Sequence, residues 1–185
     1  MGKITISRMW EMPNSKTFRI NAFRELILKY AKKGMKIIDP FANEHSIKDY
    51  LSHCKYISND LDQQYKCDYN MEASDYLKTI EDCSVDMVLY DPPYSPRQVK
   101  EVYEELDRTV TISDTQASYW SNFKQHISRI LKPGGICISF GWNSNGIGMS
   151  NAMEIIEILI VAHGGSKNDT IATVEIKKYH QEKLF

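Results

Sequence analysis

Short apolar runs alternate with helical patterns along most of this 185-residue chain. Six such runs are present, at Met35 to Ile38, Lys55 to Ser58, Val85 to Tyr90, Ile136 to Phe140, Ile155 to Ala162 and Thr170 to Ile176. Strands that alternate with helices predict a mainly parallel sheet covered on both faces. Only His163 to Asp169 separates the last two runs, which is too short for a helical crossover, so these runs are expected to form an antiparallel hairpin. The pattern therefore predicts an α/β fold with a mixed sheet.

The first helix is expected directly before the first of these runs. Ile20 to Lys33 places apolar residues at helical spacing, and Gly34 then breaks the pattern. We expect the segment before Ile20 to be irregular. The sequence contains no internal repeat, low-complexity tract or Gly/Pro/Ser-rich linker. A single domain over residues 1–185 is therefore expected.

The composition indicates a chain that folds in water. Hydrophobic residues make up 42% and charged residues 25% of the sequence, which suits one domain with a sizeable core. No apolar stretch reaches the roughly 20 residues that span a bilayer, and the first residues lack the apolar core of an export signal. We therefore expect no membrane association and a cytoplasmic location. The four cysteines are scattered without a CxxC pair, so neither a metal site nor a disulfide framework is expected.

The charges are unevenly distributed, although the net charge is only -1. Residues 1–36 carry nine Lys or Arg and two acids, whereas residues 60–107 carry four Lys or Arg and thirteen acids. A polyanion could therefore bind one face only. Lys29, Lys32, Lys33 and Lys36 are interpreted as a solvated helix face and helix end in preference to a phosphate-binding group.

Acids follow three of the predicted strands. Asp39 ends the first run, Asp60 follows the second, and Asp91 follows the third. In open α/β sheets the ligand crevice lies beyond the carboxyl ends of the strands. We therefore expect these three carboxylates to border one binding site.

Residues 91–94 read DPPY, a tetrapeptide that marks amino-group methyltransferases. The chain resembles the small adenine-specific DNA methylases common in phages and prophages, and the resemblance covers nearly its whole length. Met12 to Phe18 resembles the amino-terminal cofactor segment, Ile38 to Asn43 the first cofactor loop, and Leu131 to Gly135 the turn before the fifth strand. The resemblance implies a Rossmann-like class I methyltransferase fold with a seven-stranded sheet and a reversed terminal hairpin. It also implies S-adenosylmethionine as cofactor and a flipped adenine of double-stranded DNA as acceptor.

The composition of this tetrapeptide suits transfer to an aromatic amine. Such an amine is a poor nucleophile because its lone pair is delocalised into the ring, so it must be bent and aimed. The Asp91 side chain and the Pro92 carbonyl can each accept one amine N–H. Pro93 stiffens the loop together with Pro92, and Tyr94 offers a ring for stacking on an extruded base. These four residues are predicted to be catalytic; no cysteine fits the alternative thiolate chemistry of cytosine-C5 methylation.

The first cofactor loop departs from the family pattern. Asn43, Glu44 and His45 stand where the family has glycines, but Asn tolerates a positive φ, so Asn43 is predicted to make the turn. Asp39 or its loop is expected to meet the ammonium group of the cofactor. Phe41 either packs beside the cofactor or belongs to the core. Pro40 and Ala42 complete the predicted loop.

Further cofactor contacts are predicted elsewhere. Asp60 is expected to accept the ribose hydroxyls, with a helix cap as the alternative. Glu72, followed by Ala73, falls where the family often has an acid near the cofactor adenine, and it could equally cap the helix that runs to about Ile80. In the amino-terminal segment the resemblance implies contacts from three residues, Asn14, Thr17 and Phe18.

Substrate contacts are expected from the later loops. Arg97 belongs to the stretch Ser95 to Trp120, which forms either a clamp on the flipped base or an ordinary helix and connection. Trp142 and Asn143 are predicted to be pocket walls. His163 to Asp169 either reaches the substrate or forms an exposed turn.

We expect no separate target-recognition domain, because neither the gap between the cofactor and catalytic motifs nor the stretch after the last strand could hold one. Recognition of DNA is therefore expected to be short, or to come from a homodimer or a separate specificity partner. Two alternatives remain open: an RNA or protein amino-methyltransferase of the same fold, and a catalytically inactive cofactor-binding subunit, which the missing glycines suggest.

Overall fold

The structure is a computed structural model that describes residues 2–111, 116–165 and 167–179. Its strands are β1 (Thr5–Trp10), β2 (Lys36–Asp39), β3 (Lys55–Ser58), β4 (Val85–Tyr90), β5 (Leu131–Gly141), β6 (Met153–Ala162) and β7 (Thr170–Lys177). Its α-helices are α1 (Asn21–Tyr30), α2 (Ala73–Lys78), α3 (Pro96–Glu105) and α4 (Ala117–Ile130). Short 3-10 turns occupy Thr17–Arg19, Lys48–Leu51, Gln63–Tyr65 and Met149–Asn151.

All seven strands belong to one sheet, in the order β1-β6-β7-β5-β4-β2-β3. β2 pairs in parallel with β3 and β4, and β4 pairs in parallel with β5. β7 runs antiparallel to both β5 and β6. The predicted α/β fold, with a mixed sheet and a reversed terminal hairpin, is therefore confirmed.

The seventh strand was not recognised in the sequence. β1 lies in the segment that we expected to be irregular, and that expectation is wrong for Thr5–Trp10. All six of its residues are exposed, so no apolar periodicity marks it. The strand forms because its backbone pairs in parallel with β6, from Thr5 opposite Glu157 to Trp10 opposite Ala162.

Two hydrophobic cores cover the two faces of the sheet. On one face α1 packs its buried Phe23 and Ile27 against strand residues that include Met87 and Leu89. On the other face α2 and α4 pack against residues that include Val88. Successive side chains of β4 therefore enter opposite cores, as the period of a strand requires.

The helix boundaries differ from the predicted ones. α1 covers Asn21–Tyr30 where Ile20 to Lys33 was expected. Its first N–H groups are satisfied from outside the helix, because the Glu11 carboxylate accepts hydrogen bonds from the backbone of Asn21 (3.0 Å) and Ala22 (2.8 Å). Such a remote cap has no local signal in the sequence.

The segment Leu131 to Gly135 is part of β5, so the predicted turn before this strand is wrong. Leu131 pairs with Val85, and Ile136 already faces Met87, so the register shifts between these two pairs. The extra residues bulge out of the ladder, and Gly134 adopts the left-handed region with φ of +79°. Gly134 therefore lies in a bulge of β5 and not in the turn that the resemblance implied.

The lysines around the end of α1 lie away from the carboxyl ends of the strands. α1 ends at Tyr30 and β2 begins at Lys36, so the lysines between them lie at the amino end of β2. Lys29 pairs with the buried Glu157 (2.6 Å), and the Lys32 ammonium donates to the Lys29 carbonyl (2.8 Å). These contacts fit the interpretation as a helix end. Within the described ranges, no helix is long and apolar enough to span a membrane.

Candidate active site

A cavity of about 570 Å³ opens at the carboxyl ends of β2, β3 and β4. The loops after these three strands line it, because the ends of neighbouring parallel strands meet at one edge of a sheet. The amino-terminal segment, the start of α2 and one side of α3 complete the wall.

The cavity brings together fourteen residues that the sequence analysis selected. They are Asn14, Thr17, Phe18, Pro40, Phe41, Ala42, Asn43, Asp60, Glu72, Ala73, Asp91, Pro92, Pro93 and Tyr94. Asp39, Arg97, Trp142 and Asn143 are not among the lining residues. The chemical roles of all these residues stay predictions, but their placement in or outside the cavity is given by the fold.

Asp39 lies beneath the first cofactor loop. It is fully buried, and its carboxylate accepts hydrogen bonds from the Tyr56 hydroxyl (2.7 Å) and the Phe41 backbone (3.3 Å). Burial raises the pKa of Asp39 to about 8, against the lowering effect of the Tyr56 hydrogen bond. Asp39 therefore supports the loop from below, and of the two predicted alternatives the structure favours the loop as the part that faces a ligand.

Asn43 makes the turn that glycines make elsewhere. Its φ is +48°, in the left-handed region, which confirms the predicted conformation. Its backbone N–H donates to the Asp60 carboxylate (2.7 Å), and the Ala42 N–H donates to the Asn59 carbonyl (2.9 Å). The loop after β2 is thus joined to the end of β3 without glycine.

Phe41 belongs to the core and also lines the cavity, and its contact with a cofactor stays a prediction. Its ring makes edge contacts with Tyr90 (5.9 Å between centroids) and Phe123 (5.3 Å), which belong to the core on the α2 and α4 face. The same residue lines the cavity. Phe41 therefore forms the floor of the cavity and the roof of that core.

Asp60 borders the cavity with both oxygens already hydrogen-bonded to backbone. One oxygen accepts from Asn43 and the other from Asp62 (2.9 Å). Burial raises its pKa, while these N–H groups and the Lys16 charge oppose that shift. The helix-cap alternative is wrong, because the side chain that caps the turn Gln63–Tyr65 is Asp62. The remaining lone pairs of Asp60 can accept ribose hydroxyls.

Asn59 is a structural residue to which the sequence analysis gave no separate role. It is fully buried, and its amide donates to the carbonyls of Pro40 and Met71 (3.1 Å each) and accepts the Met71 N–H (3.1 Å). One side chain therefore ties the loop after β2 to the segment before α2. A polar residue at the end of an apolar run was the available signal.

Glu72 is the N-cap residue of α2, but its side chain does not cap the helix. Its carboxylate accepts a hydrogen bond from the Tyr103 hydroxyl (3.1 Å) and lies 3.8 Å from the Arg108 guanidinium. The helix-cap alternative for this side chain is therefore wrong. Glu72 instead links the start of α2 to α3, at the cavity wall.

The DPPY corner is held by hydrogen bonds from three directions. The Tyr94 hydroxyl donates to Asp91 (2.5 Å), and the Thr17 side chain hydrogen-bonds both Asp91 and Tyr94. The Trp120 indole donates to the Pro93 carbonyl (2.9 Å). Pro92 lines the cavity, and none of the hydrogen bonds between described residues uses its carbonyl as acceptor. Burial raises the pKa of Asp91 to about 6, against the lowering effect of the bonds from Tyr94 and Thr17.

The loop after β5 stands beside this corner. The Trp142 ring lies edge-on to Tyr94, with 5.7 Å between centroids. Glu175 on β7 fixes the loop by accepting the backbone N–H groups of Ile147 (2.6 Å) and Gly148 (2.8 Å). Asn143 is exposed and accepts the Asn145 N–H (3.0 Å), so the structure does not support its predicted position as a pocket wall.

The stretch Ser95 to Trp120 contains α3 and the start of α4, which fits the alternative of an ordinary helix and connection, and the clamp on a flipped base stays a prediction. Ser95 caps α3 by accepting the Gln98 N–H (3.3 Å), and α3 lines the cavity. The Arg97 side chain is 87% exposed and pairs with Glu101 (2.7 Å), outside the lining. Residues 112–115 of the stretch Ser95 to Trp120, and Ser166 of the turn His163 to Asp169, lie outside the described residues.

The cavity is strongly acidic. Seven carboxylates line it, those of Glu44, Asp60, Asp62, Glu72, Asp91, Glu101 and Glu105, whereas Lys16 is the one cation among its described lining residues. Arg19, Arg97 and Arg108 pair with three of these acids from outside. In the described part of the chain, no group of three or more His, Cys, Asp or Glu could hold a metal ion.

Solved methyltransferases share this fold. The N-methyltransferase NodS from Bradyrhizobium japonicum WM9, in complex with S-adenosylhomocysteine, matches with a TM-score of 0.60 and 11% identity over 91% of this chain and 95% of its own. The 1,6-didemethyltoxoflavin-N1-methyltransferase of Burkholderia thailandensis, which also holds S-adenosylhomocysteine, matches with a TM-score of 0.56 and 10% identity. This match covers 85% of this chain and 76% of that protein. No protein-family model and no curated protein sequence matches the chain.

A third match shows the limits of the likeness. TrmN from Thermus thermophilus matches with a TM-score of 0.59 and 17% identity over 85% of this chain, which spans about half (49%) of the length of that protein. At these identities the likeness shows the fold alone. The chain therefore has the Rossmann-like fold of class I methyltransferases.

The buried Asp39 predicts a pH dependence of stability. An unfolded Asp loses its proton near pH 4, whereas the folded state retains it to about pH 8. The folded state thus binds more protons between these values, so the free energy of unfolding must fall as pH rises. From about pH 5 to about pH 8, the free energy of unfolding of Asp39→Asn should rise by at least ~1 kcal/mol relative to that of wild type. Urea denaturation at several pH values measures this difference.

The exposed Asp49→Asn is the matched control and should stay within ~0.5 kcal/mol of wild type throughout. A difference in the free energy of unfolding between Asp39→Asn and wild type that stays the same at every pH would contradict the assigned environment of this carboxyl.

Proposed function

We propose that this protein is a methyltransferase that uses S-adenosylmethionine to methylate an exocyclic amine, with N6 of adenine in DNA as the acceptor. One observation carries the proposal. Asp91 and Pro92 line the same cavity as Asp60 and the loop after β2. Two acceptors for an amine and a carboxylate for a ribose therefore share one space.

The residues of the cavity fit the cofactor. Asp60 retains lone pairs toward the cavity for ribose hydroxyls, and Glu72 and Ala73 line the wall where the sequence resemblance puts the adenine. The left-handed Asn43 makes a turn in the loop after β2, where the family has glycines. The missing glycines, which suggested the alternative of an inactive subunit, therefore do not prevent this turn.

S-adenosylmethionine supplies a methyl group on a positively charged sulfur. The protein's task is then to orient the accepting nitrogen. Asp91, in its ionised form, and the Pro92 carbonyl each accept one N–H, which directs the lone pair of the nitrogen into the cavity. The hydrogen bonds of the Asp91 carboxylate with the Tyr94 and Thr17 side chains restrict its orientation. The prolines hold the carbonyl rigidly beside it.

Tyr94 supports this orientation in a second way. Its hydroxyl is engaged by Asp91, and its ring stands edge-on to Trp142 at the same corner. A planar base that entered here would lie near the Tyr94 ring and near the two amine acceptors, Asp91 and Pro92. The corner thus suits an amine on a flat ring.

The acidic lining favours a second candidate acceptor. Seven carboxylates around the cavity repel phosphates that approach its mouth, and the lysines near α1 lie at the opposite edge of the sheet. An amine on a polypeptide or a small molecule without phosphates meets no such repulsion. Modification of RNA would face the same field as modification of DNA.

The acceptor is identified by incubation with methyl-labelled S-adenosylmethionine and separate pools of DNA, RNA, polypeptide and small heterocyclic amines. We expect label in DNA, and N6-methyldeoxyadenosine after digestion to nucleosides and mass spectrometry. Label in polypeptide or small amines alone would replace DNA by the second candidate and keep the chemistry. Absence of label from every pool, with no calorimetric binding of the cofactor, would overturn the proposal.

The amine-orienting role predicts the effect of Asp91→Ala. Turnover should fall at least about a hundredfold, because one of the two amine acceptors is lost, while the Kd for S-adenosylmethionine should stay within about threefold. Asp75→Ala, on the exposed face of α2, removes a carboxylate outside the cavity and should change neither. Steady-state kinetics and calorimetry measure the two quantities. Equal loss of both would contradict the assigned role.

The environment of Asp91 predicts a pH dependence of catalysis. The carboxyl must be ionised to accept the amine N–H, and its pKa is raised to about 6. We expect kcat/KM to fall about tenfold per pH unit below about pH 6, as the free enzyme gains this proton. The residual activity of Asp91→Ala should lack this acid limb. A wild-type profile that stays flat down to pH 5 would rule out ionised Asp91 as the acceptor.

A further inference from the structure

Lys16 is the one cation among the described residues that line the cavity. It lies in the amino-terminal segment between Asn14 and Thr17, and it lines a cavity whose seven other charged lining residues are acids. A cation in such a cavity is expected to pair with a carboxylate. Among the described residues, no carboxylate forms an ion pair with Lys16. The charge is therefore available to a ligand.

The contacts of Lys16 hold its ammonium group over the site. The Nζ atom donates to the Asn43 side-chain oxygen (2.6 Å) and to the Tyr65 hydroxyl (3.2 Å). It also lies 5.0 Å from the centroid of the Tyr65 ring. An ammonium group has three N–H donors, so one remains after these two bonds. Both partners are neutral, so neither forms an ion pair with the ammonium group.

The position of these partners places the charge near the cofactor. Asn43 belongs to the loop after β2, and its backbone binds Asp60, the proposed ribose acceptor. Lys16 acts electrostatically on Asp60 without forming an ion pair with it. A residue of the amino-terminal segment thus holds its ammonium group at the loop after β2, close enough to Asp60 to act on it electrostatically.

The charges of the cofactor complete the argument. S-adenosylmethionine carries an ammonium, a sulfonium and a single carboxylate, so an acidic cavity suits two of its groups and repels the third. We propose that Lys16 binds the carboxylate of the methionine part of the cofactor, an inference that rests on the proposed function. The other cation of this segment, Arg19, is excluded because it pairs with Glu44 (2.5 Å).

Lys16 then covers the cofactor and selects it. The third N–H forms a charge-assisted bond with the carboxylate, while Asn43 and Tyr65 keep the lysine extended. S-adenosylhomocysteine has the same carboxylate, so Lys16 should raise its affinity equally. Decarboxylated S-adenosylmethionine lacks only this carboxylate, so Lys16 should not raise its affinity.

The test is calorimetric titration of wild type, Lys16→Met and Lys16→Arg with these three compounds. Wild type should bind S-adenosylmethionine and S-adenosylhomocysteine with affinity that Lys16→Met lowers about tenfold or more, the size expected for a lost charged hydrogen bond. Affinity for the decarboxylated compound should change less than about threefold. Lys16→Arg should retain most of the discrimination, since it keeps the charge.

Lys48→Met removes a lysine outside the cavity and controls for the overall field; it should change none of the three affinities. Circular dichroism establishes that each variant is folded. Equal weakening of all three compounds by Lys16→Met would overturn the inference and leave Lys16 as a residue that only positions the segment. Unchanged affinities would overturn it as well. A wild-type protein that binds none of the compounds would instead overturn the proposed function.

Discussion

Three aspartates meet at one edge of the sheet because β2, β3 and β4 run parallel, and the remaining features of the site follow from this crowding. Like charges in a poorly hydrated space oppose one another, so each carboxyl needs its own compensation. Asp39 receives the Tyr56 hydroxyl and stays protonated to about pH 8, Asp60 receives two backbone N–H groups, and Asp91 receives bonds from Tyr94 and Thr17. Three identical residue types thereby acquire different properties.

The amino-terminal segment connects the far edge of the sheet to this cluster. Beyond β1, the Glu11 N–H donates to the Ala162 carbonyl (3.1 Å), and the buried His163 hydrogen-bonds the Glu11 carbonyl (3.0 Å). At the other end of the segment, Lys16 contacts the loop after β2 and Thr17 contacts Asp91. A short stretch anchored at both ends thus crosses the cavity. This arrangement explains how an exposed edge strand contributes to a site on the other side of the sheet.

The electrostatic asymmetry of the sequence is also an asymmetry of the fold. The acid-rich stretch 60–107 supplies six of the seven carboxylates that line the cavity, all except Glu44, whereas the lysines around the end of α1 lie at the amino end of β2. The field at the cavity attracts cations and repels phosphates. Such a field suits the ammonium and the sulfonium of the proposed cofactor, and it opposes the approach of a nucleic acid, the proposed acceptor.

Periodicity and local chemistry determined the architecture and most of the site. Six strands, the terminal hairpin and the convergence of Asp60 and Asp91 on one cavity follow from apolar runs and from the rule that parallel strands end together. The left-handed turn at Asn43 also follows from its residue type. These features could be predicted because each rests on a local pattern or on the geometry of a parallel sheet.

Other features were decided only when distant segments packed together. β1 exists through backbone pairing with β6, the start of α1 is capped by Glu11, and Asp39 differs from Asp91 because only Asp39 is sealed beneath the loop by Tyr56. Trp142, Asn143 and Arg97 were placed at the site by chain position, and the fold put their side chains outside the cavity. Burial and hydrogen bonds between remote residues set these outcomes, and such partners carry no signal in their neighbours along the chain.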